Sequence, residues 1–231
     1  MSNQDSIALQ QAYTQYGRLF MATVSDGIGG LSEGENASGY ICEKLIENFH
    51  RQLLPLAERG KGIKAFQRNL LRVFYEMRQN LARYGTERDI DLGATVSLLL
   101  LWKGRYLILH VGDSRIYLYR KNKRNVLTVD HRDKYGRLTK CMGSFPFQVP
   151  YMRVGKAHGK SGFLLCTDGF YRKQSEESMG LLEPVQIDEE QQIDGRLGEM
   201  ARWGMKRGEK DNMSAVYVKV CGWGQTRRRR A

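Results

Sequence analysis

No stretch of this chain approaches the roughly 18 to 20 uninterrupted apolar residues that a membrane-crossing helix needs. The longest apolar run, residues 96–102, is interrupted by Ser97 and stopped by Lys103, which is the length of a strand. The opening MSNQDSIALQ lacks the basic patch and apolar segment of a secretory leader. The four cysteines, Cys42, Cys141, Cys166 and Cys221, are too widely spaced for a zinc signature. A chain of 231 residues can bury a sizeable core without disulfide staples. Cys42 and Cys166 lie within apolar patterns and read as small buried hydrophobes, whereas Cys141 falls in an expected loop. Together these absences predict a cytoplasmic protein. Also missing are the GxSxG elbow of a Ser/His/Asp hydrolase and the GxGxxG or GK[ST] endings of phosphate-cradling loops. No internal repeat, low-complexity linker or nucleic-acid recognition module is present.

What the chain has in excess is positive charge, a net +12, of which Arg227, Arg228, Arg229 and Arg230 supply four. That balance is compatible with nucleic acid, an anionic membrane or acidic proteins, and does not choose among them. Residues 16–24 read as a strand. Ala37, Ile41, Leu45, Phe49 and Leu53 form one apolar stripe of a helix, with Asn36 as its cap and Pro55 as its end. A second helix carries Ile63, Phe66, Leu70, Phe74, Met77 and Leu81 on one side and Lys64, Arg68, Arg72 and Arg78 on the other. Packing on a sheet explains that amphipathicity better than a membrane surface does. Residues 95–102, 105–111 and 114–119 are β-rich and joined by short turns, which predicts antiparallel neighbours. A strand at 162–166, a helix over 193–205 and a strand at 213–220 complete the pattern. Helices grouped between blocks of meander strands predict an antiparallel α+β fold rather than βαβ alternation. One domain over residues 1–221 and a basic tail over 222–231 are expected.

Asp26, Asp113, Asp168 and Asp211 each stand at the boundary of an apolar strand, and Asp26 and Asp168 are each followed by glycine. An Asp-Gly pair alone is an ordinary turn. Four such aspartates can converge on one sheet edge, where they repel one another unless cations are bound. Hard carboxylate oxygens favour Mg²⁺ or Mn²⁺. Two such ions can activate a water and stabilise the attacking and leaving oxygens of a phosphoryl transfer. Gly27 lets the backbone turn and offers its carbonyl as a further ligand. The glycine-rich stretch that follows carries Glu33 and Glu35 and would repel a phosphate. Among the histidines, His110 reads as packed, His50 as peripheral and His158 as a loop residue. His131 could anchor a loop by hydrogen bonding, and none has a partner at metal-binding spacing.

The ordered segments Asn3-Gln4-Asp5-Ser6, SDGIGGLSEGENAS (25–38), Gly93-Ala94-Thr95, VGDSRIYLYR (111–120), LTVDH (127–131), LTKCMGS (138–144), FLLCTDGFY (163–171) and DNMSAVYV (211–218) resemble the bacterial branch of the PP2C-type (PPM) protein phosphatases. The resemblance implies a four-layer α-β-β-α sandwich of two mainly antiparallel sheets, with the metal site at one end. It implies hydrolysis of phosphoserine and phosphothreonine in proteins by a metal-bridging water, without a phosphoenzyme. By matching motif, Asp26 would bridge two Mn²⁺ or Mg²⁺ ions, the Gly27 carbonyl would bind one, and Asp168 and Asp211 would complete the other. Asp5 would act through water, and Asp113 with Asp168 would hold a weaker third ion. Arg115 would brace the site through ion pairs, and Asn212 would fix the loop presenting Asp211. A Ser/Thr kinase counterpart is implied as a partner.

Three departures accompany the resemblance. An N-terminal edge strand and a phosphate-gripping arginine, which many relatives carry before the Asn-x-Asp motif, would fall before Met1. Gln4 stands where many relatives have glutamate, keeping an oxygen ligand but losing a charge. Only residues 132–137 replace the longer flap, which should open the groove. The alternatives are a catalytically weak PP2C-like phosphoprotein-binding scaffold and, with less support, a metal-dependent phosphodiesterase or nuclease favoured only by the positive charge.

Overall fold

The computed structural model describes residues 3–28, 33–143, 149–157, 159–184 and 189–220. Its first sheet has five strands in the order β1-β2-β4-β5-β9: Asp5–Thr14, Gly17–Asp26, Val96–Trp102, Arg105–Val111 and Tyr151–Lys156, each antiparallel to its neighbour. The second has the order β11-β10-β6-β7: Ala215–Val220, Ser161–Cys166, Arg115–Arg120 and Lys123–Val126. A two-stranded pair, β3 (Gly93–Ala94) and β8 (Met142–Gly143), lies beside them.

Strand periodicity accounts for the layers. Along β4, Val96, Leu98, Leu100 and Trp102 join one core with α1 (Gly34–Asn48) and α3 (Ile63–Arg88). Leu99 and Leu101 point the other way and meet Ile116, Phe163, Leu165 and Val216 of the second sheet. Burial on both faces is why this strand reads as a continuous apolar run. The outer face of the second sheet packs Tyr117, Tyr119 and Leu164 against α4 (Asp168–Tyr171), α5 (Glu176–Gly180) and α6 (Glu190–Lys206). The result is the expected α-β-β-α layering, an α+β fold of two antiparallel sheets flanked by helices. Among the described residues no helix is long and apolar enough to cross a membrane.

Four local expectations are corrected. Residues 105–111 and 114–119 do not pair: β5 and β6 lie in different sheets, and Gly112-Asp113-Ser114 carries the chain across. The first helix does not stop before Pro55. It continues through a π turn, Phe49–Leu53, into α2 (Leu54–Glu58), with Pro55 in the first turn of α2. A stripe repeating every four residues drifts by about 40° per step on a 3.6-residue turn, and the wider π turn keeps Leu53 in the core. Glu33, not Asn36, precedes the first helix; Asn36 donates its side-chain N–H to the Glu33 carboxylate at 3.0 Å. Finally, β1 has no counterpart in the sequence pattern, because its large side chains Ile7 and Leu9 are exposed while small Ala8 is buried. Cys42 and Cys166 are buried, and so is Cys141. Residues 29–32, His158, Cys221 and the arginines at 227–230 lie outside the described residues.

Candidate active site

The sandwich brings the ends of five elements to one edge. Asp5 and Asp26 are register partners across the β1–β2 pair. Asp26 is fastened to the β3–β4 junction: its N–H donates to Thr95 Oγ1 at 3.0 Å, and its carbonyl accepts from Thr95 N–H at 2.8 Å. Thr95 Oγ1 in turn meets Ser114 Oγ at 2.7 Å, linking Asp26 to the crossing that carries Asp113. Asp168 opens α4 immediately after β10, and Asp211 precedes β11. Gly27 sits against neighbouring backbone: a Cβ there would lie 2.4 Å from the Gly34 carbonyl oxygen and 2.8 Å from that of Gln4. Its necessity is therefore close approach rather than a special φ. At Gly169 a Cβ would lie 2.2 Å from the Asn212 carbonyl oxygen, which explains glycine after Asp168.

Asn212 ties the two ends of the described chain together. Its Oδ1 accepts from Gln4 N–H at 2.9 Å, and its own N–H donates to Asp211 Oδ1 at 2.9 Å. Thr167 donates its hydroxyl to Asp5 Oδ2 at 3.0 Å and accepts from Ser214 N–H at 3.0 Å. The Gln4 amide turns away, donating to Glu35 at 3.3 Å. Arg115 grips Asp130 with Nε and Nη2, donates to Tyr117 Oη at 3.1 Å, and stacks 4.0 Å over the Tyr171 ring. Among the described residues it makes no hydrogen bond or ion pair with the strand-end aspartates. His110 is buried between Ser97 Oγ at 2.8 Å and the Val129 carbonyl at 3.1 Å, stacked on His131. His131 accepts from Gly112 N–H at 3.0 Å, anchoring the loop behind Asp113.

Electrostatics report how close the carboxylates are. Burial, then Asp5, Asp168, Asp211 and Asp113, push the Asp26 carboxyl up to about 9. Burial likewise raises Asp5, with a further push from Asp211, and it raises Asp113, with a further push from Asp168. Among the described residues, no three His, Cys, Asp or Glu side chains form a group ready to hold a metal ion. Two arginines absent from the expected site lie among these carboxylates. Arg132 donates to both Asp113 and Asp168, and Arg172 donates to Asp168 and lies 3.8 Å from Asp211 and Glu209. Asp113, expected to help hold a third ion, is thus partnered by a guanidinium. Thr95, Thr167, Arg132, Arg172 and Glu209 were not singled out by the sequence. Thr95 and Thr167 left a signal there, inside the segments Gly93-Ala94-Thr95 and FLLCTDGFY (163–171).

The donor set nevertheless fits hard divalent cations. Asp5 Oδ1 and Asp168 Oδ1 are buried without any hydrogen-bond partner, and so is Glu209 Oε2. Such orphaned oxygens are costly unless something positive meets them.

Comparison with known proteins bears on the family and the fold. Residues 1–215 match the model of the family described as Protein phosphatase 2C. The serine/threonine protein phosphatase PstP of Mycobacterium tuberculosis is 27% identical over 250 residues, covering 97% of this chain and 44% of that protein. The chain therefore spans less than half the length of these curated relatives. A putative protein phosphatase of Mycoplasma genitalium is 21% identical, with 89% of this chain and 86% of that protein covered. A crystal structure of a bacterial serine phosphatase superposes with a TM-score of 0.80 at 20% identity, covering 96% of this chain and 93% of the other. The PstP catalytic domain in complex with two manganese ions superposes with a TM-score of 0.74 at 22% identity, covering 96% and 93%.

Proposed function

The chain belongs to the protein phosphatase 2C family, and we propose that it is a metal-dependent phosphatase of phosphoserine and phosphothreonine in proteins. The observation that carries this reading is Asp26, a partly buried carboxyl pushed up to about 9 first by loss of solvent and then by four other carboxylates, two of which keep a buried oxygen unpartnered. Asp26, Asp168 and Asp211, with the Gly27 carbonyl and Asp5 beside them, would hold two Mn²⁺ or Mg²⁺ ions. Divalent ions bound there supply a water nucleophile active at neutral pH and the positive charge that offsets the phosphoryl oxygens. The chain's own residues do the positioning. Thr95 fixes the Asp26 backbone, Thr167 holds Asp5, and Asn212 locks the loop of Asp211 to Gln4. Arg115 braces Asp130 at the edge of the site. The net charge of +12 suits acidic phosphoprotein substrates, and a Ser/Thr kinase is the class of enzyme that makes them.

The test is phosphate release from phosphoserine and phosphothreonine peptides in millimolar Mn²⁺, compared with EDTA. Release that depends on Mn²⁺ and disappears in Asp26→Asn is expected; no release from any peptide overturns the proposal. The arginines among the carboxylates favour one second reading, a phosphoprotein-binding scaffold of low turnover. Mn²⁺ bound without phosphate release would select it.

A further inference from the structure

The short segment after His131 delivers a cation to the carboxylates. His131 N–H donates to the Gly112 carbonyl at 2.9 Å and Thr139 N–H to the His131 carbonyl at 2.7 Å, so the segment is sewn to the crossing that carries Asp113. Arg132 and Leu138 form an isolated β-bridge. Between them Asp133 N–H donates to the Arg137 carbonyl at 2.9 Å, and Asp133 Oδ1 accepts the N–H groups of Tyr135 at 2.8 Å and Arg137 at 2.9 Å. A turn this heavily bonded holds its first residue in place. Arg132 then uses Nη1 on the Gly136 carbonyl at 3.1 Å, turning Nε and Nη2 toward Asp113 and Nη2 toward Asp168 as well.

An ordinary surface ion pair is a poor description of this contact. The Asp113 and Asp168 side chains are 7% and 8% exposed, and they come from different elements, the β5–β6 crossing and the start of α4. Two buried carboxylates facing one another need a cation between them. A guanidinium is always charged, planar and rich in donors, so it meets both at once. Asp168 keeps Oδ1 unpartnered, leaving that carboxylate one free oxygen for a second positive charge. Asp113 Oδ2 is committed to arginine.

We propose that Arg132 is a resident cation of the site, spanning Asp113 and Asp168 where a third divalent ion would otherwise sit, so that this chain binds two ions. The inference rests on the phosphatase reading above and deepens it. Its consequence is that Asp113 acts on the ion site only through Arg132. Removing the guanidinium should open a place for one more divalent cation.

The experiment is the Mn²⁺ stoichiometry of EDTA-stripped, full-length protein, measured by the electron paramagnetic resonance of free Mn²⁺. The wild type should bind two ions per chain and Arg132→Met three, with the additional ion lost in Arg132→Met/Asp113→Asn. Metal-free Arg132→Met should melt several degrees below wild type, with millimolar Mn²⁺ closing the gap. Asp113→Asn alone keeps the shape of the site and tests the idea even if Arg132→Met fails to fold: two ions are expected. Three ions in the wild type, an unchanged count in folded Arg132→Met, or loss of an ion in Asp113→Asn each overturn the proposal. A wild type that binds two ions and releases phosphate, alongside an Arg132→Met that gains none, sinks this inference alone. A wild type that binds none and releases nothing sinks the phosphatase reading, and this inference with it.

Discussion

The two flanks of the acidic cluster solve the same electrostatic problem differently. On the first sheet, Asp5 and Asp26 face each other across β1 and β2 with no arginine or lysine in hydrogen-bond or ion-pair contact among the described residues. On the second, Asp113 and Asp168 are met by Arg132, and Asp168 also by Arg172. Burial and then the neighbouring carboxylates favour the protonated form on the first flank, and Asp26 is pushed up to about 9. The second flank carries its counter-charge in the fold. A cluster that looks uniform in the sequence is therefore divided into a half without counter-charge from arginine or lysine among the described residues and a half partly neutralised by the fold.

The comparison breaks most severely at Asp26. Replacing it with alanine should lower Mn²⁺-dependent kcat by a factor on the order of 1000, while the metal-free protein stays folded. An undiminished rate would show that the first flank is not where the ions work.

A thermal melt in EDTA sharpens the contrast next. A carboxyl whose folded pKa is raised from 3.8 to about 9 holds a proton that the unfolded chain has already lost. Its contribution is fully present below about pH 4 and is lost as pH rises toward 9. His110 acts in the opposite sense, because burial lowers it from 6.5 to about 4, so its effect on stability is complete by about pH 6.5. Between pH 6.5 and 9 the metal-free wild type should therefore lose roughly several degrees of Tm. Asp26→Asn should flatten that slope, and Mn²⁺ should do the same. A wild-type Tm that does not fall over this range contradicts the idea.

The smallest effect belongs to Arg172. Its side chain is 40% exposed, against 25% for Arg132, and it reaches Asp168 from the solvent side. An exposed ion pair contributes about 0.2–1 kcal/mol. Arg172→Ala should therefore tighten Mn²⁺ binding by no more than about fivefold, as read by titration; a change of a hundredfold would place it beside Arg132 in importance.

Much of this was legible along the chain. The apolar run 96–102, the hairpin partner 105–111 and the helical stripes were visible because burial on one or both faces writes a period into the residues. The aspartates stood out because each follows or precedes such a run. The strand Asp5–Thr14 stayed hidden because its larger apolar residues face solvent, and the helix running past Pro55 because a π turn leaves no period of its own.

The sequence by itself determined the two-sheet, helix-covered architecture, the family and the identity of the carboxylates, since all three follow from local pattern and ordered motifs. Only the tertiary structure decided that β5 and β6 part into different sheets, that Gly27 is required by a backbone approach, and that Arg132 stands between Asp113 and Asp168. The Arg132 contacts, for instance, join residues 19 and 36 positions apart in the chain. No periodicity records such meetings, because they are set by how the sheets stack and not by the order of the residues.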